Sequence, residues 1–237
     1  MAVRKFTVIP QDTFKELQVD AGVLLKTFDP TDPVAPADAD IISATTGGIQ
    51  ASCVPSYIDM GEDVDNCPNN MKELKEVEGW DCKLSTTCIG TSPEMIRLTL
   101  GAADATGSTY VLTSDTEVVT GKTYYTRTGT SPNYTYSVVA TPLEQSLSSY
   151  YEKTPDTTIT PRGTLNQTDF TDAIWWVGDR ADGGLVAIKL LNALSTGGFS
   201  LQTTKKGKGQ FSMELTGHVS LTAQSVVPMV FYSFDPE

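Results

Sequence analysis

The sequence contains a single histidine, His218, and four cysteines with no Cys-x-x-Cys pair. These absences disfavour a zinc site, because zinc ligands are usually cysteines and histidines at short spacings. Basic residues are also scarce, with 17 lysines and arginines against 29 acidic residues and a net charge of −12. A DNA-gripping protein normally gathers positive charge along a groove, so this composition argues against one.

Long apolar runs are also lacking. None approaches the roughly 20 residues that a transmembrane helix needs, and residues 1–6 lack the apolar stretch of a signal peptide. We therefore expect a soluble globular protein that is not secreted, with its cysteines reduced. The hydrophobic content of 39% is sufficient for a real core.

Motifs for enzyme chemistry are absent from the sequence. Gly207 and Lys208 are followed by Gly209, and Gln202 stands where a phosphate-binding loop needs its first glycine. The acids around Asp63 do not have the spacing of a calcium loop. We therefore expect no catalytic residues, no metal site and no cofactor, and we interpret the chain as a non-enzyme.

Charge is unevenly distributed along the chain. Residues 29–81 contain twelve acidic residues against Lys72 and Lys75, whereas residues 189–213 contain four lysines and no acid. One interpretation is a protomer whose acidic and basic surfaces meet in an assembly. The other is ordinary solubilising charge, and the sequence leaves both open.

The segment 107–156 differs in composition from its flanks. It contains seven of the nine tyrosines and no Phe, Trp, Ile or Cys. Short β-like runs at residues 110–112, 123–126 and 134–139 are separated by turn signals. We predict a small all-β insert in which the tyrosines form cross-strand pairs and a core.

The remaining sequence predicts mostly strands. Apolar residues alternate with polar ones from Phe211 to Leu221, after a basic hairpin tip at residues 205–209, and this alternation places His218 on a polar strand face. A second alternating strand spans residues 80–88, with Trp80 on the same face as Cys82 and Cys88.

Other local signals complete the prediction. Ser92, with proline and glutamate directly after it, predicts a helix start, and Gly101 predicts its end. A weaker helical turn is expected at residues 71–77. The proline-rich residues 27–39 predict a long loop that is mobile in the free monomer. The adjacent Trp175 and Trp176 should face opposite sides of a strand.

In their order along the chain, several segments resemble the major tail tube protein of long, non-contractile-tailed bacteriophages, especially those that infect Gram-positive bacteria. They include Ile-Trp-Trp-Val-Gly-Asp at residues 174–179 and Asn-Ala-Leu-Ser-Thr-Gly-Gly-Phe-Ser-Leu-Gln at residues 192–202. The other segments are residues 40–49, 61–70 and 209–218. The resemblance covers most of residues 1–105 and 157–237, and the insert at 106–156 departs from the family pattern.

The resemblance implies a mainly β fold, a tail-tube-like β-sandwich or barrel with one α-helix and long hairpin loops, plus the small all-β insert on the outer surface. It implies hexameric rings that stack into the tail tube of the virion after assembly in the bacterial cytoplasm. The implied partners are further copies of the chain, a tape-measure protein and tail-tip or terminator proteins. DNA would pass through the tube without specific binding, and no membrane span is expected.

Candidate residues follow from this interpretation. The candidate ring-stacking residues are Asp29, Pro30, Asp32, Pro33, Lys205, Lys206 and Lys208. The candidate lumen acids are Asp59, Glu62, Asp63 and Asp65. The alternative function is a carbohydrate-binding or cell-surface-binding module that acts as a monomer, with its affinity in the insert.

Overall fold

A computed structural model describes residues 10–142, 147 and 149–236. The prediction about residues 1–6 and the insert residues 143–146 and 148 therefore lie outside the described residues. The chain divides into two compact units, Met1–Ala102 with Gly163–Glu237, and Ala103–Arg162. We call them the host unit and the inserted unit. The fold is mainly β with antiparallel sheets, which confirms the predicted class.

The elements follow one another as β1 (Gln18–Leu25), β2 (Thr45–Asp59), β3 (Lys75–Cys88), α1 (Pro93–Leu100), β4 (Ala103–Gly107), β5 (Tyr110–Leu112), β6 (Tyr124–Thr130), β7 (Asn133–Val138), β8 (Tyr151–Lys153), β9 (Thr157–Pro161), β10 (Thr171–Arg180), β11 (Leu185–Ser195), β12 (Leu201–Gln202), β13 (Gln210–Thr216) and β14 (Met229–Phe234). Short 3-10 turns span Gln11–Phe14, Lys72–Leu74 and Gln167–Asp169. In the described part of the chain, no helix has the length and apolar character needed to cross a membrane.

The host unit is built on one eight-stranded sheet with the order β1-β10-β11-β13-β3-β2, to which β12 adds on β13 and β14 adds on β11. Strand β11 connects the two parts of this sheet. Its first half pairs with β14 from Leu185 to Leu190, and its end pairs with β13 at Leu194 and Ser195. The sheet therefore branches along β11.

Two hydrophobic clusters hold the host unit together. The larger one joins strands β1, β3, β10, β11, β13 and β14 to helix α1, and its members include Leu24, Cys82, Leu84, Met95, Ile174, Leu190, Phe211, Met213 and Leu215. The smaller one contains Leu25, Trp175, Val177 and Ala187. Because Leu24 and Leu25 are neighbours on one strand, the clusters lie on opposite faces of the sheet.

The two adjacent tryptophans face opposite sides, as predicted. Trp175 belongs to the smaller cluster, whereas Trp176 packs against the larger one and its Nε1 donates a hydrogen bond to the carbonyl of Ala21 at 3.0 Å. Gly22 makes this packing possible. Its φ is +65°, and a Cβ at this position would lie 2.5 Å from Trp176 Nε1.

Helix α1 begins and ends where the sequence predicts. The side chain of Ser92 accepts a hydrogen bond from the backbone N–H of Met95 at 3.3 Å, and Gly101 ends the helix with φ of +71°. Met95 and Thr99 are buried, so one face of this short helix packs into the host unit. The cap and the buried face together explain why the helix forms.

Strand β13 is shorter than predicted. Phe211, Met213 and Leu215 are buried as the alternation requires, but the strand ends at Thr216, and the prediction that it continues to Leu221 is wrong. The backbone N–H of Gly217 still bonds in register to the carbonyl of Cys82 on β3 at 2.9 Å, but that of His218 bonds to the carbonyl of Leu191 on β11 at 3.2 Å. Leu221 is 85% exposed as a result.

Two other local predictions have mixed outcomes. Residues 27–39 contain no strand, which confirms the predicted loop. The helical turn predicted at residues 71–77 is reduced to Lys72–Leu74, because β3 begins at Lys75.

The inserted unit is built from antiparallel strands, as predicted. Strands β4 and β9 pair from Ala103 with Pro161 to Gly107 with Thr157, and a second sheet has the order β5-β8-β6-β7. The predicted bounds at 106 and 156 therefore cut through the β4–β9 ladder. Residues 103–105 and 157–162 belong with the inserted unit by their contacts.

The tyrosines of the inserted unit pack against each other, as expected from the sequence. Tyr110 and Tyr136 stack with their ring centroids 3.9 Å apart, and Tyr136 meets Tyr151 edge to face at 5.3 Å. Tyr124 is buried with Leu147 in a small core. Most of these rings therefore stabilise the unit itself.

Candidate assembly surface

The ribbon formed by β2 and β3 extends beyond the core of the host unit. Cys82 and every second residue from there to Cys88 are buried, whereas most residues of β3 before Cys82 are exposed. We call residues 54–81 the arm. In the described part of the chain β2 pairs only with β3, and β13 pairs with β3 only from Lys83 to Cys88, so the arm is a two-stranded ribbon whose two edges are both unpaired.

Apolar side chains cover much of the arm. Two directly opposed pairs, Pro55 with Trp80 and Tyr57 with Val77, follow the Cys53–Cys82 pair along the same face. Trp80 is 41% exposed, Val77 50% and Tyr57 58%. The full set of exposed large apolar residues on the arm is Val54, Tyr57, Ile58, Met60, Val64, Met71, Val77 and Trp80.

This surface was not predicted from the sequence. Trp80 shares a strand face with Cys82, as the alternation predicts, but Trp80 is exposed whereas Cys82 is buried. Among the described residues, no element of the host unit covers this face beyond Cys82. Large apolar residues grouped in this way are typical of surfaces that become buried on association.

The arm is also strongly acidic. Lys72 and Lys75 are its basic residues, and its acids are Asp59, Glu62, Asp63, Asp65, Glu73, Glu76, Glu78 and Asp81. Eight acids and two lysines give a net charge of 2 − 8 = −6. The arm therefore combines an apolar strip with a negative field.

The four candidate lumen acids lie together at the tip of the arm, but they have different roles. The carboxylate of Asp59 accepts hydrogen bonds from the backbone N–H groups of Asn70 at 2.8 Å and Gly61 at 3.0 Å. These two bonds hold the pKa of Asp59 below its ordinary value. Asp59 therefore closes the loop at the tip.

The other three tip acids, Glu62, Asp63 and Asp65, are exposed and form no ion pair with any residue that the structure describes. They leave the tip with an excess of negative charge beside Lys75, whose ammonium donates a hydrogen bond to the side-chain oxygen of Asn70 at 2.7 Å. Whether these acids face a lumen stays a prediction.

The candidate basic residues lie at the tip of the β12–β13 hairpin. Leu201 pairs with Phe211, and Lys205, Lys206 and Lys208 are exposed in the turn beyond this pair. Lys206 has a φ of +63°, which tightens the reversal. Within residues 10–142, 147 and 149–236 no carboxylate forms an ion pair with these lysines, so their charge is available to a partner.

The remaining candidates lie in the loop at residues 27–39, which is anchored to the sheet. The ring of Phe28 meets Trp175 edge to face at 5.3 Å. The carboxylate of Asp29 accepts hydrogen bonds from the hydroxyl of Thr31 at 2.7 Å and from its N–H at 2.8 Å. The Thr31 hydroxyl is the main reason that the pKa of Asp29 is lowered.

The exposed part of this loop contains the other candidates. Pro30 is half-buried, whereas Asp32 and Pro33 are exposed. The loop forms one wall of a cleft of about 560 Å³ whose other wall includes Trp175 and Lys189. The role of this loop in ring stacking stays a prediction.

The single histidine lies outside any cluster of reactive groups. His218 follows the end of β13, so its predicted place on a strand face is wrong. Its ring meets Phe170 edge to face at 5.2 Å, and its Nδ1 lies 3.3 Å from the carbonyl oxygen of Asn192. Among the described residues, no group of three or more His, Cys, Asp or Glu side chains could hold a metal ion.

The arm and the basic hairpin tip are thus two surfaces of the host unit whose exposed apolar or charged groups could contact a partner. Both lie on hairpins that extend from the same sheet. Comparison with known proteins found no matching family model and no matching curated protein.

Proposed function

We propose that this chain is a structural virion protein that assembles into stacked hexameric rings and forms the tail tube of a long, non-contractile-tailed bacteriophage. The tube is the conduit through which DNA enters the host cell. The chain carries out no catalysis in this role. The observation that carries the proposal is the arm, with its uncovered apolar strip and unpaired strand edges.

The arm supports self-assembly because in a single copy its strand edges are unpaired and its apolar strip is uncovered. A two-stranded ribbon in water is marginally stable unless a further strand or a packed layer covers it. The edge of β2 presents free backbone donors and acceptors, and Tyr57, Val77 and Trp80 present apolar surface beside it. A second copy of the chain that packs on the arm would pair these backbone groups and cover this apolar surface.

Charge supports an interface between unlike surfaces of two copies. The arm carries a net charge of −6, and the hairpin tip carries Lys205, Lys206 and Lys208. An acidic surface of one copy that meets a basic surface of the next makes a head-to-tail contact. Such contacts generate closed rings or helical filaments, according to the rotation between copies.

The transport role follows from electrostatics. A lumen that is negative or neutral repels phosphate groups or leaves them unbound, so DNA slides through without being held. The acids at the tip of the arm are the groups that we propose for such a lining. The implied partners of the assembled tube are a tape-measure protein and tail-tip or terminator proteins.

The test of this proposal compares the full chain with a variant that lacks most of the inserted unit. Gly107 and Thr157 are directly opposed on β4 and β9, so residues 108–156 can be replaced by a two-residue Asn-Gly turn. Sedimentation velocity of the full chain and of this variant over a concentration series would measure association. We expect both to associate to the same extent.

Two results would contradict the proposal. If the full chain stays monomeric at all concentrations and with a preformed tail-tip complex, self-assembly is wrong. If the full chain stays monomeric but binds a polysaccharide column, and the shortened variant does not bind, the carbohydrate-binding alternative replaces the proposal.

A further inference from the structure

Two cysteines lie directly opposite each other at the base of the arm. Cys53 on β2 and Cys82 on β3 are partners in the strand register, and their Sγ atoms are 3.2 Å apart. Cys82 is fully buried in the larger core cluster, and Cys53 is partly buried against the same cluster. Both are free thiols.

The strand geometry meets the requirements of a disulfide. Directly opposed residues of antiparallel strands have Cα atoms about 4.5–5.5 Å apart, and disulfides need about 4.4–6.8 Å. A bond between Cys53 and Cys82 therefore requires little backbone movement. The other two cysteines have no thiol partner in the described part of the chain, and the sulfur nearest to Cys67 Sγ is the Met71 thioether at 3.6 Å.

We infer that Cys53 and Cys82 form a reversible disulfide site that is oxidised by low-molecular-weight disulfides such as oxidised glutathione. This inference goes beyond the proposed assembly and does not depend on it. It assigns a covalent modification to a pair that the sequence analysis expects to be reduced. The two cysteines are 29 positions apart, and the loop that the bond closes contains the whole arm.

The reaction proceeds by thiol–disulfide exchange. Cys53 loses its proton and attacks one sulfur of the small disulfide, whose S–S bond breaks and releases one thiolate. The thiolate of Cys82 then attacks the Cys53 sulfur of the mixed disulfide, and the second small thiolate leaves. The two protons from the cysteines end on the two released thiols, so the protein loses two electrons and the reagent gains them.

The environment sets the order of these steps. Burial, together with the contact to Cys53, raises the pKa of Cys82 to about 12. Cys82 is therefore a poor nucleophile towards a reagent in solution, and it is also sterically protected. Cys53 is the partly exposed thiol, so it reacts first and delivers the mixed disulfide to its neighbour.

The consequence is a covalent link across the base of the arm. The bond holds the two strands in register at the point where they leave the core, and it restricts the unfolded chain. For a loop of this length in a host unit of this size, we expect oxidation to raise the melting temperature by about 5–15 °C.

The test uses the full chain, oxidised glutathione and a thiol-alkylating reagent added under denaturing conditions. We expect an intramolecular product whose mass is lower by two hydrogen atoms, whose non-reduced peptide map links Cys53 to Cys82, and which a reducing agent reverses. Cys67→Ser is the matched control and should give the same product. Cys82→Ala should stop at the mixed disulfide on Cys53.

The inference is overturned if the unaltered chain accumulates only the mixed disulfide, if the crosslink maps to another pair, or if Cys53→Ser still forms the product. It is also overturned if Cys53 and Cys82 are both alkylated after prolonged exposure to the oxidant. Because Cys53 is only partly buried, the Cys53→Ser variant should remain folded, and its circular dichroism spectrum checks this.

Discussion

The apolar strip of the arm provides the most direct mutational prediction. We consider a variant in which Tyr57, Val77 and Trp80 are all replaced by serine. These side chains are each about half exposed, so their loss removes surface that is available for association but little of the core. We expect the monomer to stay folded and its association to weaken.

The magnitude follows from the exposed area. Complete burial of an apolar side chain of this size contributes about 1.5–3 kcal/mol, and about half of each of these side chains remains to be buried. The three residues therefore contribute about 3 kcal/mol to each contact between copies. At about 1.4 kcal/mol for each factor of ten, the association constant should fall about 100-fold.

Sedimentation equilibrium over a concentration series measures this association constant, and circular dichroism checks that the variant is folded. Leu221→Ser is the matched control, because Leu221 is still more exposed but lies outside the arm. Unchanged association of the triple variant would refute the reasoning, as would an equal loss of association in the control.

Three further predictions concern the stability of the host unit. Ser92→Ala should lower the free energy of unfolding by about 1 kcal/mol in denaturant titrations, because α1 loses its cap, whereas Ser92→Asp should retain most of it. Leu215→Ala should cost about 2–5 kcal/mol because Leu215 is fully buried, and the same change at an exposed leucine should cost less than about 0.5 kcal/mol. An NMR titration should give Asp59 a pKa below that of an ordinary aspartate, because the N–H groups of Asn70 and Gly61 bond to its carboxylate. Because the pKa of Asp59 is lower in the folded state, the stabilisation from its carboxylate is present above the unfolded pKa and is lost as the pH falls through the folded pKa. Amide exchange of Gly61 and Asn70 should then accelerate. Equal exchange at pH 3 and pH 6, after correction for intrinsic rates, would contradict this prediction.

Local signals in the sequence were sufficient to predict the parts of the structure that depend on neighbouring residues. The cap at Ser92, the stop at Gly101 and the opposite faces of Trp175 and Trp176 all arise within a few positions of the chain. The short strands of the inserted unit also follow from local alternation and turn signals. Its tyrosine pairs, such as Tyr110 with Tyr136, join residues far apart in sequence and were expected from composition alone.

Predictions failed where the outcome depends on distant segments. Alternation correctly placed Trp80 on the face of Cys82, but burial depends on which element covers that face, and no described element does. Strand β13 ends at Thr216 because the chain leaves β3 after Gly217, and the N–H of His218 bonds to the carbonyl of Leu191, which is 27 positions away in sequence.

The cysteine pair and the arm illustrate the same limit. The spacing of Cys53 and Cys82 is compatible with many arrangements, and only the register of β2 against β3 brings their sulfurs to 3.2 Å. Similarly, Asp59 differs from the other acids of the arm tip only because the loop directs the N–H groups of Gly61 and Asn70 at its carboxylate.

Assembly of this chain into a tube can be observed by negative-stain electron microscopy of the purified full chain over a concentration series, with and without a preformed tail-tip complex. We expect rings or uniform tubes in at least one of these conditions, and their loss in the triple serine variant of the arm. Monomers in every condition, or irregular aggregates that the arm variant does not change, would contradict assembly into a tube.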